Sequence, residues 1–227
     1  AVGRNSASVS QGIYSTSVGY YAGNDNQGDY SVSFGSEAAR YDQGASSVAV
    51  GNSAGNATQG DSATAVGYNA GKVTQGNNAV AVGNQAGKTT QGVETVAIGY
   101  LAGQTAQGAG ATALGRNAGN NTQGAHSVAI GNSAALLNQG GSAVAVGYLA
   151  GSDTQSINAV AVGLSSGQTT QGEKAVAIGN QAGKTSQGSR SIAIGSAAGQ
   201  TSQGANGIII NSSGAALDDT TAGHIHI

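Results

Sequence analysis

Two histidines supply the side chains best suited to bind a metal ion, in the stretch His224-Ile225-His226. If this stretch is a strand, both imidazoles project from one face, because alternate residues of a strand point the same way. Three copies of the chain meeting on an axis would then gather six imidazole nitrogens, a ligand set that suits Fe, Ni or Zn. We therefore predict a transition-metal site at His224 and His226, with a plain polar tail as the alternative.

Four tyrosines form a second group of candidate functional residues. Each follows a glycine at the same place in a repeated pattern, and they are Tyr20, Tyr68, Tyr100 and Tyr148. A tyrosine ring has an apolar body and a polar tip, so it can stack on a sugar. We predict that this row contacts a glycan, and the alternative is that these are ordinary exposed corner residues.

The sequence shows no catalytic constellation. The third histidine, His126, has no acidic residue placed with it in a repeated or paired way, and we interpret it as a surface residue. The glycines recur throughout the chain and therefore serve as corners rather than as a phosphate-binding loop. Repeated aspartates of the kind found in calcium-binding rolls are absent. These observations favour a protein that is not an enzyme.

Paired threonines leave one further alternative open. Thr89-Thr90 and Thr169-Thr170 occupy the same place in two repeats. Flat arrays of threonine on a β-solenoid can bind ice, but Val73 and Leu137 interrupt this row. An ice-binding or glycan-binding solenoid therefore stays as an alternative function.

Composition excludes several classes of partner. Charged residues make up 8% of the chain and the formal net charge is −2, so there is no basic patch for nucleic acid. No apolar run reaches the length of a transmembrane helix, which argues against membrane insertion. The chain has no Met and begins within a repeat, so we expect a fragment or processed product, and the absence of Cys leaves its redox compartment open.

A strict repeat must position all of these residues. A glutamine recurs every sixteen residues without a gap from Gln11 to Gln203. A glycine follows each glutamine by eight residues, and only the last is replaced, by Asn211. We predict that the glutamines stack amide on amide as a structural ladder, with an exposed ligand-binding row as the alternative. The ladder includes Gln59, Gln75, Gln91, Gln107, Gln123, Gln171 and Gln187.

The repeat can be written Q-G-x-x-[SA]-V-A-[VI]-G-x-x-A-G-x-x-[TS], and its residues are numbered 1 to 16 from the glutamine. Large apolar residues recur only at positions 6 and 8, and this alternation has the period of a strand. We predict that they form the core. They include Val80, Val82, Val96, Ile98, Val128, Ile130, Val176, Ile178, Ile192 and Ile194. With glycine at the corners, the repeat predicts an all-β fold, a parallel β-solenoid or β-roll with one coil per sixteen residues.

A single chain has little apolar material to hold such a coil together. Two large apolar side chains contribute roughly 1.5–3 kcal/mol each when buried, whereas ordering one residue costs roughly 1–2 kcal/mol. We therefore expect a second apolar surface, shared between chains. Because strand residues alternate, one face would fill the coil and the other would pack against a neighbouring chain. The sequence leaves open which face does which.

The recurring core, as in Ser127-Val128-Ala129-Ile130-Gly131 and in residues 191–195, resembles the head repeats of trimeric autotransporter adhesins. Those heads are β-rolls that trimerise, although their repeat is usually shorter and lacks the Gln-Gly corner. The chain is also similar to repeat regions of viral fibres that lead into a segment such as the one from Ile208 to Gly223. In such fibres, that segment often precedes a trimerisation chaperone that is cut away, and His-x-His iron sites occur in trimeric phage fibres.

These resemblances imply a homotrimeric rod that serves as a fibre or adhesin shaft of a virus or phage, attached to a virion or cell surface. We expect a repeat array over residues 1–207 and a divergent C-terminal cap over residues 208–227. The implied partners are two further copies of the chain and a host-surface glycan or protein receptor. A bacterial trimeric adhesin head is the alternative function.

Overall fold

The computed structural model describes the whole chain, Ala1–Ile227, and contains β-strands and turns but no helix. The chain divides into two compact units, Ala1–Leu114 and Gly115–Ile227. Both units are parallel β-solenoids, and the chain makes about thirteen coils in all. This confirms the fold class predicted from the repeat. No segment forms a helix of the length and apolar character needed to cross a bilayer.

In the first unit, each complete coil carries a three-residue strand at positions 6–8, here called a V strand, and most carry a two-residue Q strand that ends at the glutamine. The strands in chain order are β1 (Thr16–Val18), β2 (Val32–Phe34), β3 (Val48–Val50), β4 (Thr58–Gln59), β5 (Thr64–Val66), β6 (Thr74–Gln75), β7 (Val80–Val82), β8 (Thr90–Gln91), β9 (Val96–Ile98), β10 (Ala106–Gln107) and β11 (Thr112–Leu114).

The second unit follows the same alternation of Q strands and V strands. Its strands are β12 (Thr122–Gln123), β13 (Val128–Ile130), β14 (Asn138–Gln139), β15 (Val144–Val146), β16 (Thr154–Gln155), β17 (Val160–Val162), β18 (Thr170–Gln171), β19 (Val176–Ile178), β20 (Ser186–Gln187), β21 (Ile192–Ile194), β22 (Ala198–Gln203), β23 (Ile208–Ile210), β24 (Leu217–Asp219) and β25 (Ile225–His226).

Neighbouring coils pair in register. Val80 lies opposite Val96, and Gln75 lies opposite Gln91, so one coil advances the chain by sixteen residues. All of these pairings are parallel, and the V strands and the Q strands form separate sheets within each unit. Each residue type therefore becomes a row that runs from coil to coil, about 4.8 Å apart as in any β-sheet.

The corners depend on left-handed backbone conformations, and the coil that begins at Gln75 shows the pattern. Asn78 and Gln85 have φ of 57°, Gly83 has φ of 131° and Gly87 has φ of 52°. Glycine adopts such conformations without the steric cost that a Cβ brings, and Asn tolerates them better than most residues. The glycines and the many Asn and Ser residues at positions 4 and 11 are therefore what allow sixteen residues to close one coil.

Small residues fill the interior of each coil. In the coil of Val80, the alanines at positions 5, 7 and 12 are Ala79, Ala81 and Ala86, and all three are completely buried. Where position 5 is serine, its hydroxyl donates to a turn carbonyl, as Ser127 Oγ does to Gly124 O at 2.6 Å. The hydroxyl is thus satisfied inside the coil, which explains why both Ser and Ala occur at position 5.

The expectation that positions 6 and 8 form the core is corrected by the structure. Those side chains point outward, and their exposure is intermediate or higher in the single chain. The residues concerned are Val80, Val82, Val96, Ile98, Val128, Ile130, Val176, Ile178, Ile192 and Ile194. The physical reason is space: a glutamine side chain crosses the coil interior, and in the regular coils a small residue such as alanine lies beside it on the V strand.

The C-terminal segment continues both sheets of the second unit. The strand Ile208–Ile210 pairs with Ile192–Ile194 in the regular register, and Leu217–Asp219 joins the Q strands. Larger apolar side chains now enter the interior, because Ile209 is buried and Leu217 packs against the same cluster. In this last part of the solenoid, the larger side chains of Ile209 and Leu217 fill interior space that alanine fills in the earlier coils.

Candidate functional site

The glutamines at position 1 lie inside the coils and connect the two sheets. Gln75 is 1% exposed, and its Nε2 donates to the V-strand carbonyl of Thr64 at 2.8 Å and to Ala79 O at 3.3 Å. Side-chain amides of neighbouring coils also bond to each other: Gln59 Nε2 donates to Gln75 Oε1 at 3.1 Å. Each amide therefore adds a hydrogen bond to interior backbone carbonyls, such as Ala79 O, which also accepts from Thr64 N at 2.8 Å in the sheet ladder.

Amide-to-amide bonds form runs within each unit. In the second unit the run is continuous from Gln139 to Gln203, with donor–acceptor distances of 3.0–3.2 Å. In the first unit it joins Gln43, Gln59 and Gln75. Because these side chains are buried, they are not available to a ligand from solution, so their chemistry is structural.

The two terminal histidines lie beside a carboxylate of their own chain. Asp219 Oδ2 is 3.2 Å from His224 Nδ1 and 3.1 Å from His226 Nε2. The three ligating atoms lie within 4.8 Å of one another, and the imidazole rings are roughly parallel with centroids 6.5 Å apart. Asp219, His224 and His226 are called the Asp–His–His cluster below.

Both sheets of the second unit contribute to this cluster. Asp219 ends a strand that pairs with the Q strands, and it lies opposite Gln203. His226 belongs to a strand that pairs with the V strands, and it lies opposite Ile209. His224 is fixed through its carbonyl, which accepts from Ile208 N at 2.8 Å. The turn between the two strands thus brings the carboxylate and both imidazoles to one place.

The carboxylate of the cluster is held in its ionised form. Thr221 N donates to Asp219 Oδ1 at 2.9 Å, and this backbone hydrogen bond lowers the pKa of Asp219 below its ordinary value. The two neighbouring imidazoles lower this pKa further. The Asp219 side chain is only 12% exposed, whereas those of His224 and His226 are 58% and 44% exposed. The cluster therefore offers an anionic oxygen and two accessible ring nitrogens.

Asp219 was not predicted as a site residue, although the sequence contains a signal for it. It stands five residues before His224, a spacing that no local strand rule connects to the His-x-His pair. It also stands sixteen residues after Gln203, on the next step of the glutamine repeat. Extending the repeat by one coil would have placed a carboxylate at an interior position beside the final V strand.

The tyrosines at position 10 lie at the corners and are about half exposed. Within the first unit, Tyr20, Tyr68 and Tyr100 are 44%, 51% and 46% exposed, and three and then two coils separate them. In the second unit, Tyr148 is 51% exposed. No ring contact joins any two of these four, so they do not form a continuous aromatic platform.

An aromatic pair that the sequence reasoning missed lies at position 4. Tyr14 and Tyr30 stack with ring centroids 5.2 Å apart, and the two residues are 80% and 59% exposed. Their separation of sixteen residues was the available signal, because equal positions in adjacent coils are neighbours. Arg40 lies over the ring of Tyr21, 4.5 Å from its centroid, in the same part of the first unit.

A row of apolar side chains at positions 6 and 8 lies on the surface of each unit and is here called the outer valine face. It includes Val144, Val146, Ile178 and Ile194 in the second unit, and the last two are 40% and 37% exposed. The Q strands present the opposite chemistry, because exposed threonines such as Thr154 and Thr170 lie in register there. Each unit therefore has one apolar sheet face and one polar sheet face.

Comparison with known proteins finds a similarity for part of the repeat array. A family model described as the YadA head domain repeat matches two stretches, residues 91–118 and 171–198. No curated protein and no solved structure matches the chain. Both matched stretches contain the V-strand pattern, Val96–Ile98 in one and Val176–Ile178 in the other. In its repeats, the chain is therefore similar to the heads of YadA-like trimeric autotransporter adhesins.

Proposed function

We propose that the chain is a non-catalytic structural module of an attachment fibre or adhesin, and that three copies assemble through the outer valine face. The observation that carries the proposal is the apolar surface at positions 6 and 8, which a single chain leaves partly exposed. Head repeats of the matching family usually form homotrimers, which supports a second and third copy as the occupants of this face. The polar Q-strand face would then remain in solvent.

Energetics support assembly over a solitary chain. Full burial of a Val or Ile side chain contributes about 1.5–3 kcal/mol, and these side chains are only partly buried in one chain. The alanine-filled interior contributes less apolar area per residue than an ordinary core. Packing the outer valine faces together would supply the missing burial, and the β-branched residues there suit a rigid interface.

Cysteine cross-linking tests this arrangement, because the chain has no Cys of its own. A Val146→Cys variant should form disulfide-linked dimers on mild oxidation, because outer valine faces that line a threefold axis bring the copies of residue 146 together there. A Thr154→Cys variant, on the polar Q-strand face, is the matched control and should remain unlinked. Equal cross-linking of the two variants, or none from Val146→Cys, would contradict assembly through the outer valine face.

The setting that we propose for the module is the fibre of a virus or phage. The support is the transition at Ile208 to Gly223, which resembles the end of viral fibre repeats. The specific observation that favours the alternative, a bacterial adhesin head, is the family match itself. Immunogold labelling distinguishes them: antibody against the chain should decorate virus particles, whereas decoration of the cell envelope alone would assign the chain to a bacterial adhesin.

Receptor contact is the remaining part of the proposed function. Exposed aromatic rings favour a host-surface glycan, and the stacked pair of Tyr14 and Tyr30 offers more ring area than the isolated Tyr68. On a glycan array, a Tyr14→Ala, Tyr30→Ala variant should lose signals that a Tyr68→Ala variant keeps. If the Tyr68→Ala variant loses them instead, the corner tyrosines are the contact, and a protein receptor is favoured if the unmodified chain gives no signal.

A further inference from the structure

We propose that Asp219, His224 and His226 of one chain bind a divalent transition-metal ion of the zinc type. Two imidazole nitrogens and one carboxylate oxygen form a ligand set used by zinc and by iron(II), with the remaining positions left to water. This differs from the six-imidazole site predicted from the sequence, because each chain supplies a complete set of three ligands. The proposal does not depend on the assembly of three chains.

Two distances in the cluster match those that a bound ion requires, and the two imidazole nitrogens lie within 4.8 Å of each other. Ligands about 2.1 Å from a tetrahedral or octahedral ion lie roughly 3.0–3.4 Å from one another. Asp219 Oδ2 lies 3.2 Å from His224 Nδ1 and 3.1 Å from His226 Nε2. The carboxylate oxygen therefore lies at ligand distance from both nitrogens, and the two exposed imidazole side chains need only rotate to bring their nitrogens closer together on one ion.

The position of the cluster in the solenoid provides a second argument. Asp219 lies in register with the buried Gln203, and His226 lies in register with the buried Ile209. Earlier coils place a glutamine amide and a small or apolar side chain at these interior positions, with no ionisable group among them. In the last coil both positions carry metal-ligating groups, which approach each other from the two sheets.

A backbone hydrogen bond fixes the carboxylate. Asp219 Oδ1 accepts from Thr221 N at 2.9 Å, which leaves Oδ2 free to point toward the imidazoles. The backbone of Asp219 is itself held, because its carbonyl accepts from Gly204 N at 2.8 Å. Such support orients a ligand before the ion arrives and raises metal affinity.

Calorimetric titration of the chelator-treated full chain with Zn²⁺ tests the proposal. We expect one ion per chain, and titration with Co²⁺ should give visible absorption bands of a nitrogen- and oxygen-ligated ion. The variants Asp219→Asn and His226→Ala should each weaken Zn²⁺ binding at least tenfold, because each removes one of three ligands. His126→Ala is the matched control, since His126 is exposed on a turn of the same unit, and it should bind like the unmodified chain.

Three results would overturn the proposal. One is the absence of Zn²⁺ and Co²⁺ binding by the unmodified chain, which would leave the contacts as ordinary hydrogen bonds between imidazole and carboxylate. Another is one ion per three chains with full affinity in Asp219→Asn, which would assign the metal to imidazoles alone. The third is equal loss of affinity in His126→Ala. None of them bears on the cross-linking of Val146→Cys, so the two proposals fail independently.

Discussion

At the scale of the residue, the corner glycines of position 9 show why the repeat tolerates so little change. Gly147 has φ of 133°, and a Cβ built on it would lie 2.5 Å from the carbonyl oxygen of Gly163 in the next coil. The backbone conformation and the coil stacking therefore both exclude a side chain. The sequence predicted these corners correctly, because a glycine that recurs in phase with the strands marks a bend that larger residues adopt only at a steric cost.

A single methyl group at this corner should be costly. We expect Gly147→Ala to destabilise the folded chain by about 2–4 kcal/mol, because strain and a backbone clash act together. The matched control is Gly141→Ala, since a Cβ there meets only Ala125 O at 3.4 Å and alanine stands at the equivalent Ala125. Thermal unfolding at one protein concentration compares the two, and equal melting temperatures would refute the steric account.

Residue-level reasoning could not have given the complete Asp–His–His cluster. The pairing of His224 with His226 is local and could be read from strand alternation. The approach of Asp219 depends on a turn of the last coil, whose regular spacing has already ended, so that His226 pairs with Ile209 seventeen residues earlier. Local periodicity fails where the array becomes irregular, and only the folded turn brings the three groups together.

At the scale of the element, the glutamine run is what joins the two sheets of a coil. Gln155 Nε2 donates to Val144 O at 2.8 Å and to Gln171 Oε1 at 3.1 Å, while its Oε1 accepts from Gln139 Nε2 at 3.0 Å. One side chain thus links a V strand to the Q strands above and below it. Its loss would leave the buried Gln171 Oε1 without its donor and would remove one hydrogen bond each from Val144 O and Gln139 Nε2.

Removing one interior glutamine should therefore lower the stability of the folded chain far more than removing a glutamine at the surface. We expect Gln155→Ala to destabilise by about 2–4 kcal/mol, because unsatisfied buried groups and a cavity both contribute. Gln168→Ala, at a partly exposed corner position, is the control and should change stability by less than about 0.5 kcal/mol. A Gln155→Ala variant as stable as this control would contradict the bridging role.

The V strands were predicted from the sequence, but the face that each of them buries was not. The alternation of Val80, Ala81 and Val82 predicts a strand with two different faces, and the structure confirms such a strand. Alternation does not state which face is inside, and hydrophobicity alone favours the valines. The answer depends on the interior of the coil, where the buried glutamine takes up space and the regular coils have alanine or serine between the two outer residues of the V strand.

For the molecule as a whole, the outer valine face matters most, because a single chain leaves its apolar side chains partly exposed to solvent. Charge on this face should disrupt assembly, because burying an unpaired ammonium group in an apolar interface is costly. We expect a Val80→Lys, Val82→Lys variant to fall to the mass of one chain in analytical ultracentrifugation. The control is Thr90→Lys, on the polar Q-strand face, which should keep the mass of the unmodified protein. Loss of assembly in both variants would point to a general effect of charge.

Self-assembly in threes can be tested without any variant, by the solution mass of the unmodified chain. Light scattering on a size-exclusion column, repeated over a hundredfold dilution and with chelator present, gives that mass. We expect three times the 21.7 kDa of the chain, unchanged by chelator, because the outer valine faces hold the copies together. A mass of 21.7 kDa at every concentration would refute the trimer and leave a solitary solenoid with an exposed apolar face.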